Sequence, residues 1–140
     1  MLTAMKKIIL AAALTLLTVW GAGAQTTTQT LNKKNLVIKE WNTDTATNKK
    51  VLDHVTTYNA DGRKIEEIEY TTSAQKWRKR FEYDSAGRVT LESVYDEKNR
   101  LDNYKKFEYN EFGRKKTQYT YNPKGKLISI KVYEYLAEDA

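Results

Sequence analysis

From residue 36 to residue 135 the chain sets β-branched and aromatic residues between charged ones, a composition that favours strands. Side chains alternate across a strand, so such segments present two chemically different faces. Eight strands are expected, near 36–41, 50–58, 63–70, 77–83, 88–95, 100–109, 114–121 and 126–135. Beyond the N-terminal 24 residues, no stretch combines helical periodicity with helix caps. The fold class is therefore all-β.

Turn chemistry says how the strands connect. Tyr58 leads Asn59-Ala60-Asp61-Gly62-Arg63, and the same order follows Tyr83, Tyr95, Tyr109 and Tyr121. Asn or Asp comes first, Gly or Asn99 fourth, Arg or Lys fifth. A short acceptor side chain suits the opening of a type I turn, and Pro123 suits its second position. Gly at the fourth position supplies a left-handed backbone. Together they predict five three-residue hairpins, each with a bulge. The spacing of 25 residues from Tyr58 to Tyr83 and 26 from Tyr83 to Tyr109 spans two strands, which makes the chain an antiparallel meander. Thr71 to Lys76 breaks the pattern and predicts a longer or looser turn.

Carrying the pairing outward from Asp84 and Arg88 sets Tyr83 opposite Val89, Phe81 opposite Leu91 and Trp77 opposite Tyr95. Glu82 then opposes Thr90, Arg80 opposes Glu92, Arg88 opposes Glu108, and Glu108 opposes Lys116. One face is aromatic by this register and the other alternates in charge. Tyr119 and Tyr121 join the aromatic face, and so do Lys79, Lys105 and Lys131. Ile128, Ile130 and Val132 fall on the charged face, as do Val51, Val55 and Ile65, so curling or a second copy is needed to cover them. With no helix to bury the aromatic face, the sheet is expected to be twisted and curled, open or barrel-like.

The Tyr83-Asp84-Ser85-Ala86-Gly87-Arg88 segment resembles the YD repeats of RHS-type proteins, which build long antiparallel β-sheet wraps. The likeness covers roughly Tyr58 to Tyr135. It departs in having Asn for Asp in three of the five copies and in lacking a long array and a toxin cargo. As a whole the chain resembles small secreted proteins of gut Bacteroidetes that carry degenerate copies of this motif. The resemblance implies secretion and a β-sheet, and it implies no activity.

Residues 1–24 read as a signal peptide, with Lys6 and Lys7 ahead of an apolar run and Ala22-Gly23-Ala24 at the cleavage site. The run is short of the ~20 residues of a spanning helix. Met5 is an alternative start. The expected location is periplasmic or secreted, and the absence of cysteine excludes a lipoprotein anchor. Residues 25–34 form a polar, flexible leader, 35–135 the β-meander and 136–140 a tail. The formal charge of +6 falls to +4 without Lys6 and Lys7. Acidic residues interrupt the basic ones, which argues against nucleic acid as a partner.

Little in the sequence carries chemistry. His54 is the only histidine and there is no cysteine, so Cys/His catalysis and zinc clusters are excluded. No nucleophile elbow surrounds Ser73, Ser85, Ser93 or Ser129. Glu66, Glu67, Glu69 and Glu92 lie among basic neighbours, the pattern of surface ion pairs rather than of paired catalytic carboxylates. Asp61 and Asp84 lack EF-hand-like spacing. No enzyme activity and no cofactor are expected. Two function classes remain: a secreted binding module for a glycan, peptide or protein, or an envelope-associated protein that self-assembles into a homo-oligomer through a sheet edge. The candidate ligand-binding residues are Trp77, Tyr95, Tyr119, Lys79 and Lys105, as a groove on the aromatic face.

Overall fold

The computed structural model describes residues 31–72 and 74–137. The expected signal peptide, most of the leader, Ser73 and the end of the tail lie outside the described residues. Eight strands follow in chain order: β1 (Val37–Thr43), β2 (Lys50–Tyr58), β3 (Lys64–Thr71), β4 (Ala74–Tyr83), β5 (Val89–Tyr95), β6 (Leu101–Tyr109), β7 (Lys115–Tyr121) and β8 (Leu127–Val132). They form one antiparallel sheet in the order β1 to β8.

Among the described residues each strand touches only its sequence neighbours, so β1 and β8 are open edges there. The meander is thus as expected, but the curl is not: the sheet neither closes into a barrel nor folds over on itself. It is a single layer. Among the described residues the most buried apolar side chain, Phe107, keeps 9% of its surface exposed, and no large side chain is fully enclosed.

The five repeat turns form as their residues dictate. In the β4–β5 turn the Gly87 N–H donates to the Asp84 carbonyl (3.0 Å) and the Asp84 N–H to the Arg88 carbonyl (2.9 Å). The Asp84 carboxylate accepts from the Arg88 N–H (2.9 Å). The fourth position is left-handed in all five turns, with φ from 60° at Asn99 to 83° at Gly125. The β3–β4 turn differs from expectation. Thr71 still pairs with Ala74, so this connection is the tightest of the seven, and Thr72 turns at φ 44°.

The register corrects the sequence reading. Tyr83 pairs with Val89 as expected, but one pair further the register shifts, and Glu82 pairs with Leu91. Thr90 is the extra residue, a β-bulge that moves every later side chain to the other face. The same bulge follows Tyr58, Tyr95, Tyr109 and Tyr121, with Ile65, Asp102, Lys116 and Ile128 as the extra residues. Phe81 therefore opposes Glu92, Arg80 opposes Ser93, Arg78 opposes Tyr95, and Glu108 opposes Thr117. The division into an aromatic and a charged face disappears. The face of Trp77, Phe81 and Phe107 also carries Glu67, Lys79, Glu92 and Lys105. The face of Arg78 carries Leu91, Tyr95, Tyr104, Tyr119 and Ile130.

Candidate functional site

A single layer needs something to shield its rings, and the chain's own cations do so. Among the described residues eleven aromatic rings have a Lys or Arg head 4.3–6.0 Å from the ring centroid. Each such contact stabilises by about 0.5–1 kcal/mol at an exposed site, and the alkyl stem covers apolar area as well. At one end of the sheet the contacts repeat with the chain. Arg63 lies over Tyr83, Arg88 over Tyr109 and Arg114 over Tyr135. The Tyr83, Tyr109 and Tyr135 hydroxyls donate to the carbonyls of Lys64, Val89 and Lys115 (2.6–2.7 Å). Burial raises the Tyr83 and Tyr109 hydroxyls above the usual tyrosine value. Lys33, in the expected leader, caps the series over Tyr58.

The expected binding groove does not assemble. Trp77, Lys79 and Lys105 share one face, and Tyr95 and Tyr119 are on the other. Trp77 is half-buried, with Lys79 over its ring at 4.6 Å and the His54 ring T-shaped to it, 5.9 Å between centroids. Beside it, Glu67 accepts from Lys64 (3.1 Å) and lies 3.1 Å from His54 Nε2. Burial raises the Glu67 carboxyl, but the Lys64 hydrogen bond and the charges of Lys64, His54 and Lys79 outweigh it and hold it below the usual value. Lys105 is spent on Glu92 at 2.9 Å. Across the sheet Arg78 stacks over Tyr95 at 4.7 Å. The Tyr119 hydroxyl donates to Glu108 (3.1 Å), which raises the tyrosine. Glu67, Glu92 and Glu108 are thus each paired, while the buried Arg78 Nε has no hydrogen-bond partner. Among the described residues, no three His, Cys, Asp or Glu side chains converge as a metal site.

A depression of about 300 Å3 lies on the Arg78 face between Thr57, Glu66, Arg80, Ser93 and Tyr95. Glu66 occupies its charge by approaching Arg78 (3.6 Å) and Arg80 (4.0 Å).

The edge strand β8 is different. All six of its residues are exposed, Ile128 at 57%, Ile130 at 55% and Val132 at 67%. The Tyr133 N–H donates to the Lys116 carbonyl (3.0 Å), which fixes the alternation of the backbone. Ser129 and Lys131 hydrogen-bond toward β7, and the N–H and C=O groups of Ile130 and Val132 point away from the sheet. Ile130 aligns with Tyr119, and Val132 with Thr117, so the aliphatic side chains project from the Arg78 face. The sequence had flagged Ile128, Ile130 and Val132 as needing cover, and the structure supplies none among the described residues. No known family model matches the chain, and no curated protein sequence matches it.

Proposed function

We propose that this chain is a non-catalytic interaction module, working after export, that binds an extended protein segment by adding it to the sheet along β8. The observation that carries this reading is β8 itself, with outward backbone groups at Ile130 and Val132 and a row of uncovered aliphatic side chains beside them. Strand addition uses these two features together: main-chain hydrogen bonds for affinity and alternate side chains for specificity. Edge strands that are not meant to pair are guarded by charges or proline. β8 has one charge, Lys131, on the face opposite its aliphatic row, and no proline.

A peptide or protein ligand is favoured over a glycan. Sugar stacking needs open ring faces, and the ring of the leading candidate, Trp77, is already under Lys79. The test compares a synthetic peptide of alternating apolar residues with the same peptide N-methylated at alternate amides, alongside a glycan array. The unmodified peptide should bind and the N-methylated one should not. Ile130→Pro should abolish binding while leaving the β7 pairing intact, because it removes an outward N–H. Glycan binding that survives Ile130→Pro and is lost in Trp77→Ala would overturn the proposal and move the site to the Trp77 face.

A further inference from the structure

We infer that the segment added to β8 is β8 of a second copy, paired antiparallel about a two-fold axis through Ile130. This rests on the strand-addition reading above and names its partner. A two-fold axis through an antiparallel pair sets a residue opposite itself, and where that residue's own N–H and C=O point outward the two copies exchange both hydrogen bonds there. Ile130 meets that condition. The remaining pairs follow from the register: Ile128 faces Val132 of the second copy, and Ser129 faces Lys131.

The pairing is complementary on both faces. On the Arg78 face every aliphatic side chain of β8 from Ile128 onward meets another. On the Trp77 face the strand's one cation meets a hydroxyl. The neighbouring registers lose this. An axis through Lys131 sets two ammonium groups opposite each other, which is destabilising. An axis through Ser129 keeps Ile128 against Ile130 but puts Val132 against Lys126, one through Val132 puts Ile130 against Glu134, and one through Ile128 puts Ile130 against Lys126. The other open edge is a poorer partner. β1 carries the adjacent charges Lys39 and Glu40, and Lys50 stands over its Trp41 at 4.9 Å.

Cross-linking tests both partner and register, because the native chain has no cysteine. Opposed residues in an antiparallel hydrogen-bonded pair are ~5.5 Å apart at Cα, within reach of a disulfide. Under mild oxidation Ile130→Cys should give a covalent dimer as its main product. Ile128→Cys and Val132→Cys should each cross-link about tenfold less alone, and should link to each other when mixed. Light scattering should show a dimer for the native chain and a monomer for Ile130→Lys, with the same circular dichroism in both. Efficient cross-linking by Ile128→Cys alone, or a ladder of higher oligomers in the native chain, would overturn the register. A native monomer and an unlinked Ile130→Cys would overturn the second copy as partner. If the alternating peptide still bound, strand addition would stand without it; if nothing bound, both readings would fall.

Discussion

β6 and β8 occupy the same place in successive repeats, offset by 26 residues, and comparing them shows which strand is unfinished. On the Trp77 face the replacements are mild: Asn103 becomes Ser129, Lys105 is kept as Lys131, and Phe107 becomes Tyr133. On the other side Leu101 is kept as Leu127, and the next three positions change character. Asp102 becomes Ile128, Tyr104 becomes Ile130, and Lys106 becomes Val132. In β6 two of these residues cover a ring of the neighbouring strand β7. Tyr104 stacks on Tyr121 at 5.0 Å, and Lys106 reaches over the same ring at 5.6 Å. Their β8 counterparts are short and aliphatic and have no polar end to turn outward. An outermost strand would ordinarily be the more polar of the two. Here it is the less polar one, and on one face only, which is the composition the proposed pairing would cover.

The largest expected effect separates stability from association. Phe107→Ala should cost about 3 kcal/mol in urea melts, since this is the most buried apolar ring of the sheet. Placing the β6 residues in β8 (Ile128→Asp, Ile130→Tyr, Val132→Lys) should change monomer stability by less than about 0.5 kcal/mol, the range of surface substitutions. It should also abolish peptide binding. If the triple variant unfolds as readily as Phe107→Ala, β8 is core and the comparison fails.

A smaller effect is expected at the turns. Gly87 and Gly125 have φ of 80° and 83°, so alanine at either should cost about 1 kcal/mol through left-handed strain. A Cβ at Gly87 would also meet the Arg63 guanidinium at 2.8 Å and push it from Tyr83, whereas at Gly125 the nearest atom is the Tyr104 hydroxyl at 3.6 Å. Hydrogen exchange should therefore show Gly87→Ala loosening β2 to β5, and Gly125→Ala loosening β8 alone.

The smallest effect is acid sensitivity. The Arg88 and Arg100 backbone N–H groups, together with the side chains of those arginines, hold the Asp84 and Asp96 carboxyls below their ordinary value of 3.8. Carboxyls depressed in the folded chain contribute stability above the ordinary value, and that contribution is lost as pH falls through the lower, folded one. The β7–β8 turn opens with Asn122, which does not titrate. Acidification from about pH 5 to about pH 2 should loosen the β4–β5 and β5–β6 hairpins ahead of the β7–β8 hairpin, followed by amide shifts. Asp84→Asn with Asp96→Asn should remove that order.

Much of the fold was legible because turn chemistry is local. The Asp84 carboxylate, the left-handed Gly87 and their counterparts act within five residues, and they gave the strand number, the order and most boundaries. The register was not legible. The bulge one pair beyond each turn falls on Ile65, Thr90, Asp102, Lys116 and Ile128, which share no chemistry, so nothing in sequence marks it. One unmarked residue was enough to split Trp77 from Tyr95 and dissolve the expected groove. The curl failed for a different reason. Counting aromatic residues suggested a surface to bury, but the lysines and arginines assigned to the surface are what cover the rings. The exposed aliphatic set of Ile128, Ile130 and Val132 was legible as a misfit, because no register hides three branched side chains at the end of a sheet.

The recurrence of Arg63–Tyr83, Arg88–Tyr109 and Arg114–Tyr135 makes the protein a ruler. Every contact in the series joins one repeat to the next and none depends on a shared centre, so width is set by copy number alone. Strands lie about 4.8 Å apart, and each period of two widens the plate by about 10 Å. Duplicating or deleting one such unit would move the two rims apart or together by that step, with the chemistry of each rim unchanged.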